Sequence, residues 1–99
     1  MSFKNTSGWN EKTELQAYKI FRILLDKKFP RGLQSKLCKE LAQEAKILSS
    51  GNISAKVGNY KSEAGINKPS NSSIDTKKNY EKYKNNSIME IDSIITNLK

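Results

Sequence analysis

The Leu, Ile and Val residues of this chain recur three and four positions apart almost throughout, and no stretch alternates long enough to predict a strand. The spacing predicts helices at about 11–28, 33–46, 51–62, 74–84 and 88–98. Asn10 is an expected N-cap, the turn Ser49-Ser50-Gly51 offers a serine N-cap for the third helix, and Gly65 is the expected residue after that helix. We expect an all-α protein with a helix-turn-helix-like three-helix core and one or two additional C-terminal helices.

Each of the first three helices has an apolar stripe suited to a shared core. Cys38 lies beside the second stripe and is expected to pack as a small apolar side chain. Trp9 is expected to pack on the first turns of the first helix. The three stripes, in chain order, are Ala17, Tyr18, Phe21, Leu24 and Leu25, then Leu33, Leu37, Leu41 and Ala45, then Ile53, Val57 and Tyr60.

The third helix carries a second face that is almost free of side chains. Gly51, Ala55, Gly58 and Ser62 line this face, and its flanks carry Asn52, Ser54, Lys56, Asn59 and Lys61. A glycine inside a helix costs about 1 kcal/mol relative to alanine, so Gly58 indicates the close approach of another surface. That surface is either DNA or the fourth helix. Asparagine amides suit adenine, and lysine ammonium groups suit phosphate or guanine, which favours DNA.

The charge of the chain also favours a polyanionic partner. The formal net charge is +8, and residues 1–86 hold 17 Lys and Arg against 8 Asp and Glu. Binding phosphates releases condensed counterions, so a basic domain gains affinity for nucleic acid. Arg31 and Lys36, near the start of the second helix, are expected phosphate contacts by analogy with other helix-turn-helix proteins. The alternative is a lysine-rich, well-solvated surface.

Three segments are expected along the chain: a flexible lead at 1–8, a helical DNA-binding domain at 9–86, and a C-terminal helix at 87–99. In the last segment Ile88, Ile91, Ile95 and Leu98 are spaced by three, four and three residues, as in an a/d seam. This seam pairs two copies of the chain or folds back onto its own core. The spacing leaves both uses open.

Composition argues against catalysis and against a membrane. The chain has no histidine and a single cysteine, and it lacks a glycine-rich phosphate loop, so we expect no enzyme activity, metal, cofactor or small-molecule substrate. The longest apolar run, Ile23-Leu24-Leu25, is far too short to span a bilayer. The N-terminus has no signal-peptide pattern, and a lone cysteine fits a reducing compartment. A cytoplasmic protein is expected.

The order of Trp9, a helix from Glu11, a leucine-rich second helix and the run from Gly51 to Ser62 resembles a small DNA-binding domain of HNH-type endonucleases. The resemblance covers about 9–83 and centres on a serine-x-lysine-x-x-asparagine-aromatic helix. It implies that Ser54, Lys56, Asn59 and Lys61 are the DNA-contacting positions. The HNH nuclease module itself has no counterpart here, which implies a binder that does not cut.

These observations favour one function and leave two alternatives. The expected function is sequence-selective binding of double-stranded DNA by the helix at 51–62, as a repressor or site-blocking factor of a phage or mobile element. One alternative is a small basic inhibitor that occupies the acidic or nucleic-acid-binding groove of a host enzyme or defence complex. The other is non-specific coating of DNA, which predicts a flat sequence profile with steep salt dependence.

Overall fold

The computed structural model describes residues 9–45, 48–66 and 74–98, and these ranges form five α-helices without a strand. The prediction of an all-α protein is confirmed. The helices are α1 (Glu11–Asp26), α2 (Leu33–Glu44), α3 (Ser50–Glu63), α4 (Ile74–Tyr83) and α5 (Ile88–Asn97). The predicted lead at 1–8 lies outside the described residues. None of the helices in the described ranges has the length and apolarity that crossing a bilayer requires.

The predicted N-caps of the first and third helices and the glycine after the third are confirmed, whereas α1 ends at Asp26, two residues before its predicted end. The Asn10 side chain accepts a hydrogen bond from the Thr13 amide at 2.9 Å, and Ser49 Oγ accepts from the Asn52 amide at 3.0 Å. Gly65 follows α3 with a φ of +78°, in the left-handed region that a glycine adopts without strain. Each cap satisfies backbone groups that the helix cannot pair internally.

Helix α1 is the centre of the fold, because it contacts each of the other four helices. Tyr18 is fully buried, and its ring centroid lies 5.0 Å from that of Tyr60 on α3 and 6.5 Å from that of Tyr83 on α4. Cys38 on α2 is buried as predicted, and burial raises the pKa of its thiol. The prediction for Leu25 is wrong, since this residue is 42% exposed at the end of the buried stripe.

The C-terminal seam folds back onto the core. Helix α5 packs against α1, and Ile91 and Ile95 are buried there with 0% and 8% exposure. Leu98 packs against the same core, and Ile88 lines a shallow pocket beside Leu25. The buried part of the seam is therefore not available to pair two copies, which corrects the dimerisation use of Ile91 and Ile95, while Ile88 and Leu98 are half-buried. The core draws on all five helices rather than on the first three.

Helix α3 has neighbours on three sides and is open on the fourth. Ile53, Val57 and Tyr60 are fully buried, as their spacing predicts, with α1 as one of the helices that cover them. One flank of α3 packs against α2 and the other against α4. The remaining side, which no described helix covers, is the one that lacks large side chains.

Candidate nucleic-acid interface

The side of α3 away from the core is an open strip, formed by Gly51, Ala55, Gly58 and Ser62. Gly51 and Ala55 are exposed, and Gly58 and Ser62 are half-buried. A Cβ atom added at Gly58 would meet no atom within 4 Å among the described residues. Packing against α4 therefore does not explain this glycine in the described part of the chain. Among residues 9–45, 48–66 and 74–98, none covers Gly58 on this side of the helix.

The two asparagines beside the strip have different surroundings. Asn52 is exposed, but its Oδ1 accepts hydrogen bonds from the Ser49 amide at 3.3 Å and the Ser49 hydroxyl at 2.8 Å. Pairing with adenine requires one donor and one acceptor from the same amide. While the cap is intact, Asn52 has only its NH₂ group to offer, so the predicted adenine contact does not fit. Asn59 is half-buried on the same flank.

Lys56 does not lie where a phosphate contact requires it. Its side chain is 10% exposed, and Nζ lies 3.2 Å from Glu14 Oε1 and donates to Thr76 Oγ1 at 3.0 Å. The same ammonium group lies 4.7 Å from the centroid of the Trp9 ring. The prediction that Lys56 contacts DNA is wrong for this geometry, because the side chain turns inward between α1 and α4. Desolvation makes an unpaired lysine costly, and these contacts compensate the charge.

A buried polar cluster surrounds Lys56 and joins three helices. Glu14 is 1% exposed; it accepts a short hydrogen bond from the Tyr60 hydroxyl and a second from Thr76 Oγ1 at 3.2 Å. Asn79 on α4 donates to the Tyr60 hydroxyl at 3.4 Å. Burial and the adjacent Glu14 carboxylate raise the pKa of Tyr60, so this tyrosine remains a neutral donor. The cluster fixes the inner side of α3 and therefore the direction in which the open strip faces.

The flank of α3 next to α2 carries a second, partly exposed polar group. Lys61 Nζ donates to Gln34 Oε1 at 2.7 Å, and Gln34 Nε2 donates to Ser54 Oγ at 2.8 Å. All three side chains are half-buried, so each keeps contact with solvent. Ser54 and Lys61, seven residues apart on α3, are thus joined through one glutamine of α2. We call Gln34, Ser54 and Lys61 the α2 edge of the strip.

An aromatic ring lies beneath the α2 edge. The Lys61 ammonium group is 5.0 Å from the centroid of the Phe29 ring, a distance that gives a cation–π attraction. Phe29 and Lys28 have φ values of +55° and +62°, a backbone conformation that costs a non-glycine residue about 1–2 kcal/mol. The turn is secured by the hydrogen bond from the Phe29 amide to the Leu24 carbonyl at 2.7 Å. It directs the Phe29 ring toward both Phe21 and Lys61.

The predicted phosphate contacts on α2 lie outside the core. Arg31 precedes the helix and Lys36 lies in its first turns, and both are exposed. Gly32, Ser35 and Cys38 of α2 line a cleft of about 390 Å³ with Gly51 and Ser54 of α3. The beginning of α2 therefore lies beside the open strip, whereas the Lys56 side chain points away from the strip.

Sequence reasoning missed two residues of this region, Glu14 and Gln34. Glu14 stands four positions before Tyr18 and seven before Phe21, on the buried stripe of α1. That periodicity was an available signal for a buried carboxylate. Gln34 has no comparable signal, because its partners lie 20 and 27 residues away in the chain.

A search against protein families, curated proteins and solved structures found no match for this chain. The likeness to the DNA-binding domain of HNH-type endonucleases stays a prediction from the motif at 54–60. The argument for function therefore depends on the geometry of α3 and on the charge of the chain.

Proposed function

We propose that this protein binds double-stranded DNA, with the open strip of α3 inserted into the major groove. The observation that carries the proposal is the strip itself: small residues from Gly51 to Ser62, exposed or half-exposed, with open space at Gly58 among the described residues. The major groove is about 12 Å wide and admits an α-helix. Small residues allow the helix backbone to approach the base edges closely.

Recognition would combine base contacts with phosphate contacts. Asn59, on the α4 flank of the strip, is the candidate for reading adenine, since an asparagine amide matches its donor and acceptor. Lys61, Arg31 and Lys36 are the candidates for phosphate contacts on the α2 side. The net charge of +8 adds a long-range attraction that accelerates encounter with a duplex.

The biological role we propose is that of a repressor or of a factor that blocks a DNA site, in a phage or another mobile element. The resemblance to the domain that precedes HNH nuclease modules supports a role in binding without cleavage. The rival role, inhibition of a host enzyme by occupying its nucleic-acid groove, uses the same positive charge but does not need the open strip to face bases.

Selection of bound fragments from random duplex DNA tests the proposal. Sequence-selective binding predicts an enriched motif; Asn59→Ala should then lose the preference at one or two positions, and Lys61→Ala should weaken all sequences about equally. Asn85→Ala and Lys19→Ala are matched controls, because Asn85 follows α4 and Lys19 pairs with Asp92 of α5, away from the strip.

The outcomes separate the three functions. A flat sequence profile with a steep salt dependence would replace selective binding by DNA coating. An absence of duplex binding at low salt would contradict the proposal and leave the inhibitor role. An enriched motif that survives Asn59→Ala would show that another side of α3 reads the bases.

A further inference from the structure

The hydrogen-bond directions in the α2 edge are fixed by chemistry. A lysine ammonium group only donates, so the Gln34 amide must turn its oxygen toward Lys61, where the distance is 2.7 Å. The NH₂ group of Gln34 then faces Ser54 Oγ at 2.8 Å, and the serine oxygen must accept. We call these two hydrogen bonds the relay; from donor to acceptor, both run in the same direction, from Lys61 to Gln34 and from Gln34 to Ser54.

The relay leaves three N–H or O–H donors without a partner among the described residues, one on Ser54 and two on Lys61. Ser54 accepts from Gln34, and its own O–H donates to no acceptor among the described residues, so its hydrogen is available to a ligand. Lys61 uses one of its three N–H groups on Gln34 and keeps two. A ligand that satisfies these donors must therefore present acceptors.

The edge is also held in position before any ligand arrives. Lys61 is fixed both by Gln34 and by the Phe29 ring at 5.0 Å, and the left-handed turn at 28–29 holds that ring. A free lysine side chain loses conformational entropy when it is ordered. Ordering Lys61 within the folded protein removes part of this cost from binding.

We propose that the α2 edge binds one phosphodiester group of the DNA backbone, with Ser54 and Lys61 as the donors and Gln34 as the positioning residue. This inference rests on the proposed function. Both phosphate oxygens and the O6/N7 edge of guanine present only acceptors. Phosphate is favoured because the edge carries a full positive charge and lies at the rim of the strip, toward α2, where a backbone would pass.

A double-mutant cycle tests the positioning role, using gel shifts on a duplex from the random selection. Lys61→Ala should weaken binding about tenfold and lower the slope of log affinity against log salt by about one. Gln34→Met, which keeps side-chain length and removes both hydrogen bonds, should weaken binding about threefold to tenfold in the wild-type background. In the Lys61→Ala background, Gln34→Met should change the binding free energy by less than half as much as it does in the wild-type background. Gln43→Met, at an exposed position of α2, is the matched control and should change nothing.

A scan of single methylphosphonate linkages identifies the ligand group. At one linkage the neutral substitution should weaken the wild type and leave the Lys61→Ala variant almost unaffected. If 7-deazaguanine produces this pattern and no methylphosphonate does, the edge reads a base and the proposal is wrong.

The remaining outcomes separate failure of the inference from failure of the proposed function. Equal effects of Gln34→Met in both backgrounds would show that Gln34 does not act through Lys61, and would overturn the proposed positioning of Lys61 while leaving DNA binding intact. Thermal unfolding of each variant, recorded in parallel, restricts the comparison to folded protein. A wild-type protein that binds no duplex would overturn the inference and the proposed function together.

Discussion

Replacement of Lys56 by methionine is expected to reduce the stability of the fold rather than to remove a phosphate contact. Lys56 is 9% exposed, and its ammonium group lies 3.2 Å from the carboxylate of Glu14, which is 1% exposed. Removing one partner of a buried ion pair costs about 3–5 kcal/mol, because the remaining charge is left uncompensated. The hydroxyl groups of Tyr60 and Thr76 still donate to Glu14, so we expect the lower end of the range, about 3 kcal/mol.

Urea denaturation at pH 7 measures this loss. Far-UV circular dichroism reports the helices, and Trp9 fluorescence reports the cluster directly, since its ring lies 4.7 Å from the Lys56 ammonium group. For a domain of this size each kcal/mol lowers the melting temperature by about 4–8 °C, so a loss of about 3 kcal/mol corresponds to a decrease of roughly 12–24 °C. Coincident transitions from both probes would support two-state unfolding.

The matched variant neutralises both members of the pair. Glu14→Gln combined with Lys56→Met removes the uncompensated charge, so the double variant should be at least about 1 kcal/mol more stable than the sum of the two single losses predicts. Two results would refute the reasoning. One is a Lys56→Met variant within about 0.5 kcal/mol of the wild type, as at a surface position. The other is additivity of the two substitutions.

Three further predictions concern the strip, the cluster and the C-terminal helix. Gly58→Ala should stabilise the protein by about 0.5–1 kcal/mol, because its Cβ meets open space among the described residues, and should weaken DNA binding in gel shifts; a loss of stability would contradict the open strip. The raised pKa of Tyr60 keeps its hydroxyl neutral in the folded state, while the tyrosine of the unfolded chain ionises near pH 10. The free energy of unfolding should therefore fall above about pH 10, by up to about 1.4 kcal/mol per pH unit. The urea midpoint of Tyr60→Phe should depend less on pH in that range. Ile91→Asp should cost about 3 kcal/mol or more, since it buries an unpaired charge, whereas Met89→Asp on the 81% exposed side of α5 should change the urea midpoint little; similar losses for both would contradict the placement of α5.

Local features of the fold were accessible from the sequence. Helical spacing identified Ile53, Val57 and Tyr60 as core residues of α3, and short-range chemistry identified the Asn10 cap and a serine cap in the turn at 49–51. These features depend on residues within one or two turns of each other, so a single chain contains all the information needed to recognise them.

Features that depend on distant partners were not accessible. Lys56 has the spacing of a flank residue, and only the carboxylate of Glu14, 42 positions earlier, determines that it turns inward. The a/d spacing of α5 specifies an apolar face without specifying what covers it, so pairing with a second copy and packing on α1 were indistinguishable until Ile91 was placed. The relay through Gln34 joins two helices whose relative position the sequence does not encode locally.

On α3, the residues that stabilise the fold are different from the residues that form the exposed surface. Gly51 and Ala55 contribute no buried side chain, while Ile53, Val57 and Tyr60 on the same helix are fully buried. Polar replacements at 51 and 55 leave those core contacts in place, and evolution or a display library can vary these two positions as an independent module. Under the proposed function, variants with one scaffold and different preferred DNA sequences would then need substitutions at these two positions alone.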